Sequence, residues 1–283
     1  MEPALRNWLP ESPRDCHAPA LFMLLVLSTA APRFAVAETI DDWKVLPAPQ
    51  RGEPMGHCEN FSQFVWVVKP AQEGVTVDRQ SLEEFYHWQL ESARETPQYS
   101  VGKFKSFPRQ TIDVPDGALV GYNRGEWGGA VWWFSRNHKK RREISRDQVL
   151  SFLEKDGEIY ALKGLAHLGY SHGALIKFRS GGNGSWYAEA VAILPGEPGP
   201  YTWVGPKEIL LIAGGKLVRL HLDGDRKTLH ESQWGFGRAS SLVAKGDGTV
   251  YVGSGGVVIR LTPQGDGYRE EWLVRQSEVE ACH

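Results

Sequence analysis

The sequence predicts an all-β protein built from four similar units, and three observations predict it. A glycine followed by five mostly apolar residues recurs. Gly129-Ala130-Val131-Trp132-Trp133-Phe134 returns as Gly173-Ala174-Leu175-Ile176-Lys177-Phe178, as Gly215-Lys216-Leu217-Val218-Arg219-Leu220 and as Gly256-Val257-Val258-Ile259-Arg260-Leu261, at spacings of 44, 42 and 41. A nearly constant period of this size marks a repeat architecture. Composition agrees, because 11 Trp and 31 Gly suit short strands and tight turns better than a helical bundle. Asp-Gly then recurs between apolar runs at Asp116-Gly117, Asp156-Gly157 and Asp247-Gly248, which is a hairpin signal because the tight turn needs positive φ.

Residues 1–37 read as a signal peptide. The apolar run from Ala20 to Leu27 precedes Ala35-Val36-Ala37 and Glu38, as an apolar core precedes an A-x-A cleavage site. The run is too short to span a bilayer. Arg6 and Arg14 are offset by Glu2, Glu11 and Asp15, which is explained if translation starts at Met23. Cleavage removes Cys16 and leaves Cys58 and Cys282. In an oxidising compartment these are expected to form a disulfide, worth on the order of 5 kcal/mol for so long a loop in the chain-entropy account. The expected location is secreted or periplasmic, with no transmembrane segment in the mature chain.

Residues 38–110 form a non-repeating N-terminal segment. Its first part, 38–60, reads as loop because of Pro47, Pro49, Pro54 and several glycines. Phe64 to Val68 reads as a buried strand, part of a first blade that the C-terminal residues would complete as the fifth. Ser81 to Arg94 reads as the one helix, with Ser81 and Glu84 spaced as a capping box and Pro97 beyond its end.

The repeat occupies residues 111–283. Each unit opens with a strand such as Val149 to Phe152 or Ser241 to Ala244, turns, and returns as Ala118 to Val120, Glu158 to Ala161, Ile209 to Ile212 or Thr249 to Val252. In the third unit Pro206-Lys207 replaces Asp-Gly. The glycine-led phrase is the third strand. A polar turn such as Gly181 to Gly184 and a charged fourth strand such as Arg269 to Leu273 complete the unit. Four antiparallel strands in roughly 40 residues make a propeller blade, so the predicted fold is a small β-propeller of four to five blades.

Asp247-Gly248-Thr249-Val250-Tyr251-Val252-Gly253 followed by Gly256 to Pro263 resembles a blade of the broad β-propeller class, which includes sensor propellers and gluconolactonase-like propellers. The resemblance covers 111–275 and implies architecture only. The WD dipeptide of WD repeats is absent, and no lactonase metal-ligand set matches residue by residue.

By analogy with the fold, ligands sit on the face that carries the loops between strands two and three and the loops between blades. Two such loops read as long: Tyr122 to Gly128, and Leu162 to Ser171 extended by His172. With the loop Gln233 to Arg238 they would gather Arg124, Glu126, Trp127, His167, Tyr170, His172, Trp234 and Arg238 at one mouth. Aromatic rings can stack on a ligand, Arg can clamp a carboxylate, and Glu with His can exchange a proton. The expected function is an exported binding module for a small molecule, glycan or protein. The alternative is a carbohydrate- or lactone-directed hydrolase or lyase using Glu126 with His167 or His172.

Other motifs read as structural. His167 and His172 lack metal-site spacing, Asp223-Gly224-Asp225 lacks the further oxygens of a calcium loop, and Gly235-Phe236-Gly237 is no dinucleotide fingerprint. No cofactor or metal is implied. The formal net charge of −2 gives no electrostatic case for nucleic acid. The basic run Arg136 to Arg142 reads as a solvated edge strand whose lysines discourage strand pairing, with an acidic surface as the alternative contact. Asn60 and Asn183 head glycosylation sequons.

Overall fold

The computed structural model describes residues 38–40, 42–50, 53, 62–72, 74–86, 96–105, 107, 109–233, 235–236 and 238–281. The signal segment, Cys58, Asn60, residues 87–95, Trp234 and Cys282 lie outside the described residues.

Strands β1 (Glu38–Thr39), β2 (Lys44–Pro47), β3 (Phe64–Ala71) and β4 (Gly74–Ser81) precede the repeat. Blade 1 is β5 (Arg109–Val114), β6 (Gly117–Asn123), β7 (Gly129–Ser135) and β8 (Arg141–Ser145). Blade 2 is β9 (Val149–Lys155), β10 (Glu158–His167), β11 (Tyr170–Ser180) and β12 (Trp186–Leu194). Blade 3 is β13 (Pro198–Gly205), β14 (Glu208–Ala213), β15 (Lys216–His221) and β16 (Arg226–Glu231). Blade 4 is β17 (Ser241–Ala244), β18 (Val250–Gly253), β19 (Val258–Gln264) and β20 (Gly267–Val274). Among the described residues these make five antiparallel sheets: a three-stranded β1-β4-β3 sheet and four meanders, the last extended to five strands by β2. The architecture is a small β-propeller.

The middle strands are apolar without alternation because both faces of each blade are covered. In β14, Ile209, Leu211 and Ala213 pack toward blade 2, whereas Leu210 and Ile212 pack toward blade 4. In β10, Tyr160 and Leu162 face blade 3 while Ile159 and Ala161 face blade 1. The two ends of the stack are covered differently. On blade 4, Trp43, Trp66 and Val68 from the N-terminal segment pack on Val243, Val258 and Leu273. On blade 1, Val101 and Phe104 cover Val120, Tyr122 and Phe134.

The recurring glycine has a steric cause. The connection from each fourth strand to the next blade crosses over the start of the third strand. A Cβ on Gly129 would stand 2.7 Å from the Gln148 Cα, and one on Gly173 would stand 2.1 Å from the Gly196 carbonyl oxygen. At Gly215, where φ is +77°, a Cβ would stand 2.8 Å from the Gly235 Cα. Only glycine permits so close an approach of two backbones.

Two carboxylates, one in a turn and one on a strand, join neighbouring blades. Asp116 accepts the indole N–H groups of Trp133 (3.1 Å) in its own blade and Trp186 (3.2 Å) in blade 2, and the Gly184 backbone N–H (3.0 Å). Glu270 of blade 4 meets His230 (2.8 Å) and accepts Ser232 (3.0 Å) of the blade 3 side, and accepts the Trp272 indole (2.9 Å). Burial by itself would raise the Glu270 pKa, but hydrogen bonds from His230, Trp272 and Ser232 outweigh it and hold the group below its ordinary value.

Several sequence expectations are corrected. Residues 44–47 are not loop, because β2 pairs with β20 from Lys44–Val274 to Pro47–Glu271; Pro47 is tolerated at the end of an edge strand. The β3 strand is completed by β4 and β1 rather than by C-terminal residues. The N-terminal segment and the end of the repeat still meet, through β2, an Arg79–Glu278 contact of 3.8 Å and Arg275 over the Trp66 ring at 5.2 Å. The capping box forms: Glu84 N–H donates to Ser81 Oγ (3.1 Å) and Ser81 N–H to Glu84 Oε2 (2.8 Å). Residues 82–86 are helical, and the remainder of the expected helix to 94 falls outside the described residues.

The three Asp-Gly pairs also do different things. Asp156 (φ +54°) and Gly157 (φ +74°) form the expected two-residue turn. In blade 1 Val114 pairs with Gly117, so Pro115-Asp116 turn the chain and Asp116 is placed for its bonds to the indoles. In blade 4 the loop is wider, closed by Lys245 N–H to the Thr249 carbonyl at 2.8 Å.

Candidate functional site

The site lies where blades 1 and 2 present their second-to-third-strand connections. In blade 1, Asn123 Oδ1 accepts the Gly125 N–H (2.8 Å), and Arg124 N–H donates to the Gly128 carbonyl (2.9 Å). Gly125 (φ +57°) and Gly128 (φ +86°) allow a 3₁₀ turn, Gly125–Trp127, that pushes Glu126 and Trp127 outward. The Gln148 side chain holds the turn through the Gly125 carbonyl. Trp127 is 65% exposed.

The blade 2 connection is not the long loop that the sequence suggested. Residues 162–167 continue β10 and 170–173 begin β11, so His167 pairs with Tyr170 and Leu165 with His172. Only Leu168 (φ +46°) and Gly169 (φ +82°) turn the chain. The pattern Gly-Leu-Ala-His concealed a strand because it projects beyond the core and lacks the apolar alternation of a packed strand. Cross-strand partners share a face, so His167, Tyr170 and His172 lie on one side of the hairpin and Ala166 and Ser171 on the other.

The first side meets blade 1. His167 Nε2 is 2.8 Å from Glu126 Oε2, with both side chains about two-fifths exposed. Tyr170 is 64% exposed and its ring contacts His172 at 5.3 Å between centroids. Leu168 stands fully out at the tip. Glu126, Trp127, His167, Tyr170 and His172 therefore form one group. Two expected members are engaged elsewhere. Arg124 turns inward, its guanidinium 4.7 Å from the Phe107 ring centroid. Arg238 donates to the Ser62 carbonyl at 2.8 Å and thereby anchors the chain leading into β3. Trp234 lies outside the described residues.

The other side of the hairpin shows residues that sequence reasoning missed. Ser171 Oγ accepts the Glu197 N–H at 2.8 Å. Burial raises the Glu197 carboxyl above its ordinary pKa, opposed by a hydrogen bond from the Ala166 backbone. Beyond it a cavity of about 420 Å³ opens between the first strands of blades 2, 3 and 4, lined by Ser151, Tyr201, Ser240 and Ser241 with Leu150 and Leu242. Its lining has no carboxylate, histidine, lysine or arginine. The Pro195-Gly196-Glu197-Pro198 connection was the one visible signal for Glu197. The cavity serines had none, because the first strands become neighbours only after the blades stack.

Among the described residues no three His, Cys, Asp or Glu side chains converge as metal ligands. Asp223-Gly224-Asp225 is a turn, in which Asp223 Oδ1 accepts the Asp225 N–H (3.1 Å) and meets His221 at 2.7 Å. The backbone bond from Asp225 and the contact with His221 depress the Asp223 pKa. Among the described residues no helix is long and apolar enough to cross a membrane.

No family model matches the chain, and no curated protein matches it. Solved structures similar to it include virginiamycin B lyase from Staphylococcus aureus, at 11% identity over 81% of this chain and 74% of that one, with a TM-score of 0.34. The extracellular domain of a one-component-system candidate from B. thetaiotaomicron is similar at 11% identity over 83% of this chain and 35% of that one, with a TM-score of 0.38. A gluconolactonase candidate is similar at 15% identity over 58% of this chain, with a TM-score of 0.34, and the chain spans 57% of its length. The propeller architecture rests on the strand topology above.

Proposed function

We propose that the chain is an exported binding module that recognises a glycan or protein partner through the face where blades 1 and 2 meet. The observation that carries this reading is the projecting hairpin, which sets His167 against Glu126 and leaves Trp127 and Tyr170 about two-thirds exposed beside them. Aromatic side chains offer large contact area at low entropic cost, and the Glu126–His167 pair offers a donor and an acceptor between them. The group projects into solvent and does not line the cavity between the first strands, which favours a partner that brings its own surface. Trp127→Ala and Tyr170→Ala, assayed against a glycan array and proteins captured from the native envelope, should each weaken the bound partner at least tenfold. Partners held equally by both variants and the parent chain would exclude this face.

The second reading, a carbohydrate- or lactone-directed hydrolase or lyase, is favoured by one distance. At 2.8 Å, Glu126 and His167 are close enough to share a proton at one reacting centre. Turnover of lactone or uronide substrates that survives Glu126→Gln and His167→Asn would exclude it.

A further inference from the structure

The opposite end of blade 1 carries a second surface. The hairpin joining β7 to β8 contains Arg136, Lys139, Lys140, Arg141 and Arg142 with a single acid, Glu143, in a chain of formal net charge −2. Residues 136–143 are all exposed. Elsewhere cations are commonly paired, as in Lys163–Asp147, Lys177–Glu158, Arg179–Glu189 and Lys216–Glu231. Here Glu143 is engaged by Arg146, just beyond the end of β8, at 3.3 Å, and Arg136 donates to the Pro115 carbonyl. Lys139, Lys140, Arg141 and Arg142 have no carboxylate within ion-pair distance among the described residues.

The tip is also built rather than loose. Ser135 Oγ accepts the Lys140 N–H (3.0 Å), Asn137 Oδ1 accepts the Lys139 N–H (3.1 Å), and the Ser135 N–H reaches the Lys140 carbonyl (2.9 Å). His138 takes φ +56° and rests its ring 5.3 Å from Tyr99. Four unneutralised cations are therefore held close together against their mutual repulsion. Along β8, Arg141 and Arg142 point to opposite faces of the sheet because successive side chains alternate. Charge spread over both faces and the tip suits a broad anionic plane better than a groove or a single extended strand. No large exposed apolar side chain accompanies it, so contact would be at headgroup level without insertion.

We infer that the β7–β8 hairpin docks the protein on an anionic phospholipid surface. The remainder of the chain carries the net negative charge, so the molecule would orient with this tip toward the membrane. The blade 1–2 face lies at the other end of the strands and would point away from it.

The test is co-sedimentation of the full chain with vesicles of phosphatidylcholine alone and of phosphatidylcholine mixed with phosphatidylglycerol. Binding is expected only to the anionic vesicles and should fall as salt shortens the Debye length. Each neutralised cation should weaken partitioning about fivefold, so Lys139→Gln/Lys140→Gln should lose roughly 25-fold. Adding Arg141→Gln/Arg142→Gln should abolish binding, with unfolding temperature confirming that each variant is folded. Arg179→Gln/Lys216→Gln, which removes two paired cations elsewhere, should bind as the parent does. No binding to anionic vesicles, equal loss in the Arg179→Gln/Lys216→Gln control, or binding to dissolved dextran sulfate without binding to vesicles would each overturn the inference.

Discussion

Glu270 offers the most direct test of how the blades are held together. Its side chain is 7% exposed and lies between blades 3 and 4. It is bonded to His230, Ser232 and Trp272, the last of which is 1% exposed. Glu270→Ala would remove all three bonds and strand a buried indole N–H. Breaking a buried pair by deleting one partner costs about 3–5 kcal/mol, and at about 2–4 °C per kcal/mol for a chain of this size the midpoint should fall by roughly 10 °C. Glu270→Gln keeps an acceptor and should cost about 1–2 kcal/mol. The pH dependence has a definite sign. The folded pKa lies below the ordinary 4.5, so the carboxylate contributes its full stability above pH 4.5 and loses it as pH falls through the folded value. Urea unfolding of parent and both variants between pH 7 and pH 3 measures these quantities. A Glu270→Ala cost below about 1 kcal/mol, or an acid limb that persists unchanged in that variant, would refute the reasoning.

Three further outcomes are expected. Gly173→Val should destabilise by more than about 3 kcal/mol or abolish folding, because its Cβ would meet the Gly196 carbonyl oxygen at 2.1 Å; soluble yield and circular dichroism report this. Asp116→Ala should cost about 2–4 kcal/mol by denaturant titration, since Trp133, Trp186 and the Gly184 N–H lose one shared acceptor. Leu168→Gly should stabilise by about 0.5–1 kcal/mol in thermal unfolding, because Leu168 is exposed and held at φ +46°; a loss of stability would show that its side chain packs.

The repeat and the strand order within each blade are legible along the chain without any tertiary contact. Both follow from local requirements: Gly129, Gly173 and Gly215 repeat where backbones nearly touch, and β14 and β18 are apolar on both faces because each of their blades is covered on both sides. Tertiary structure decided the rest. That β2 would pair with β20 could not be read from Lys44 to Pro47, since an edge strand needs only a free neighbouring edge and carries little pattern of its own. The candidate site divided in the same way. Glu126, Trp127, His167, Tyr170 and His172 were legible as chemistry-bearing residues near turns. Their grouping, and the inward turn of Arg124 and the separate anchoring of Arg238, were set by which faces the stacked blades turn toward one another. That choice is made by non-local packing, which no single stretch of sequence contains.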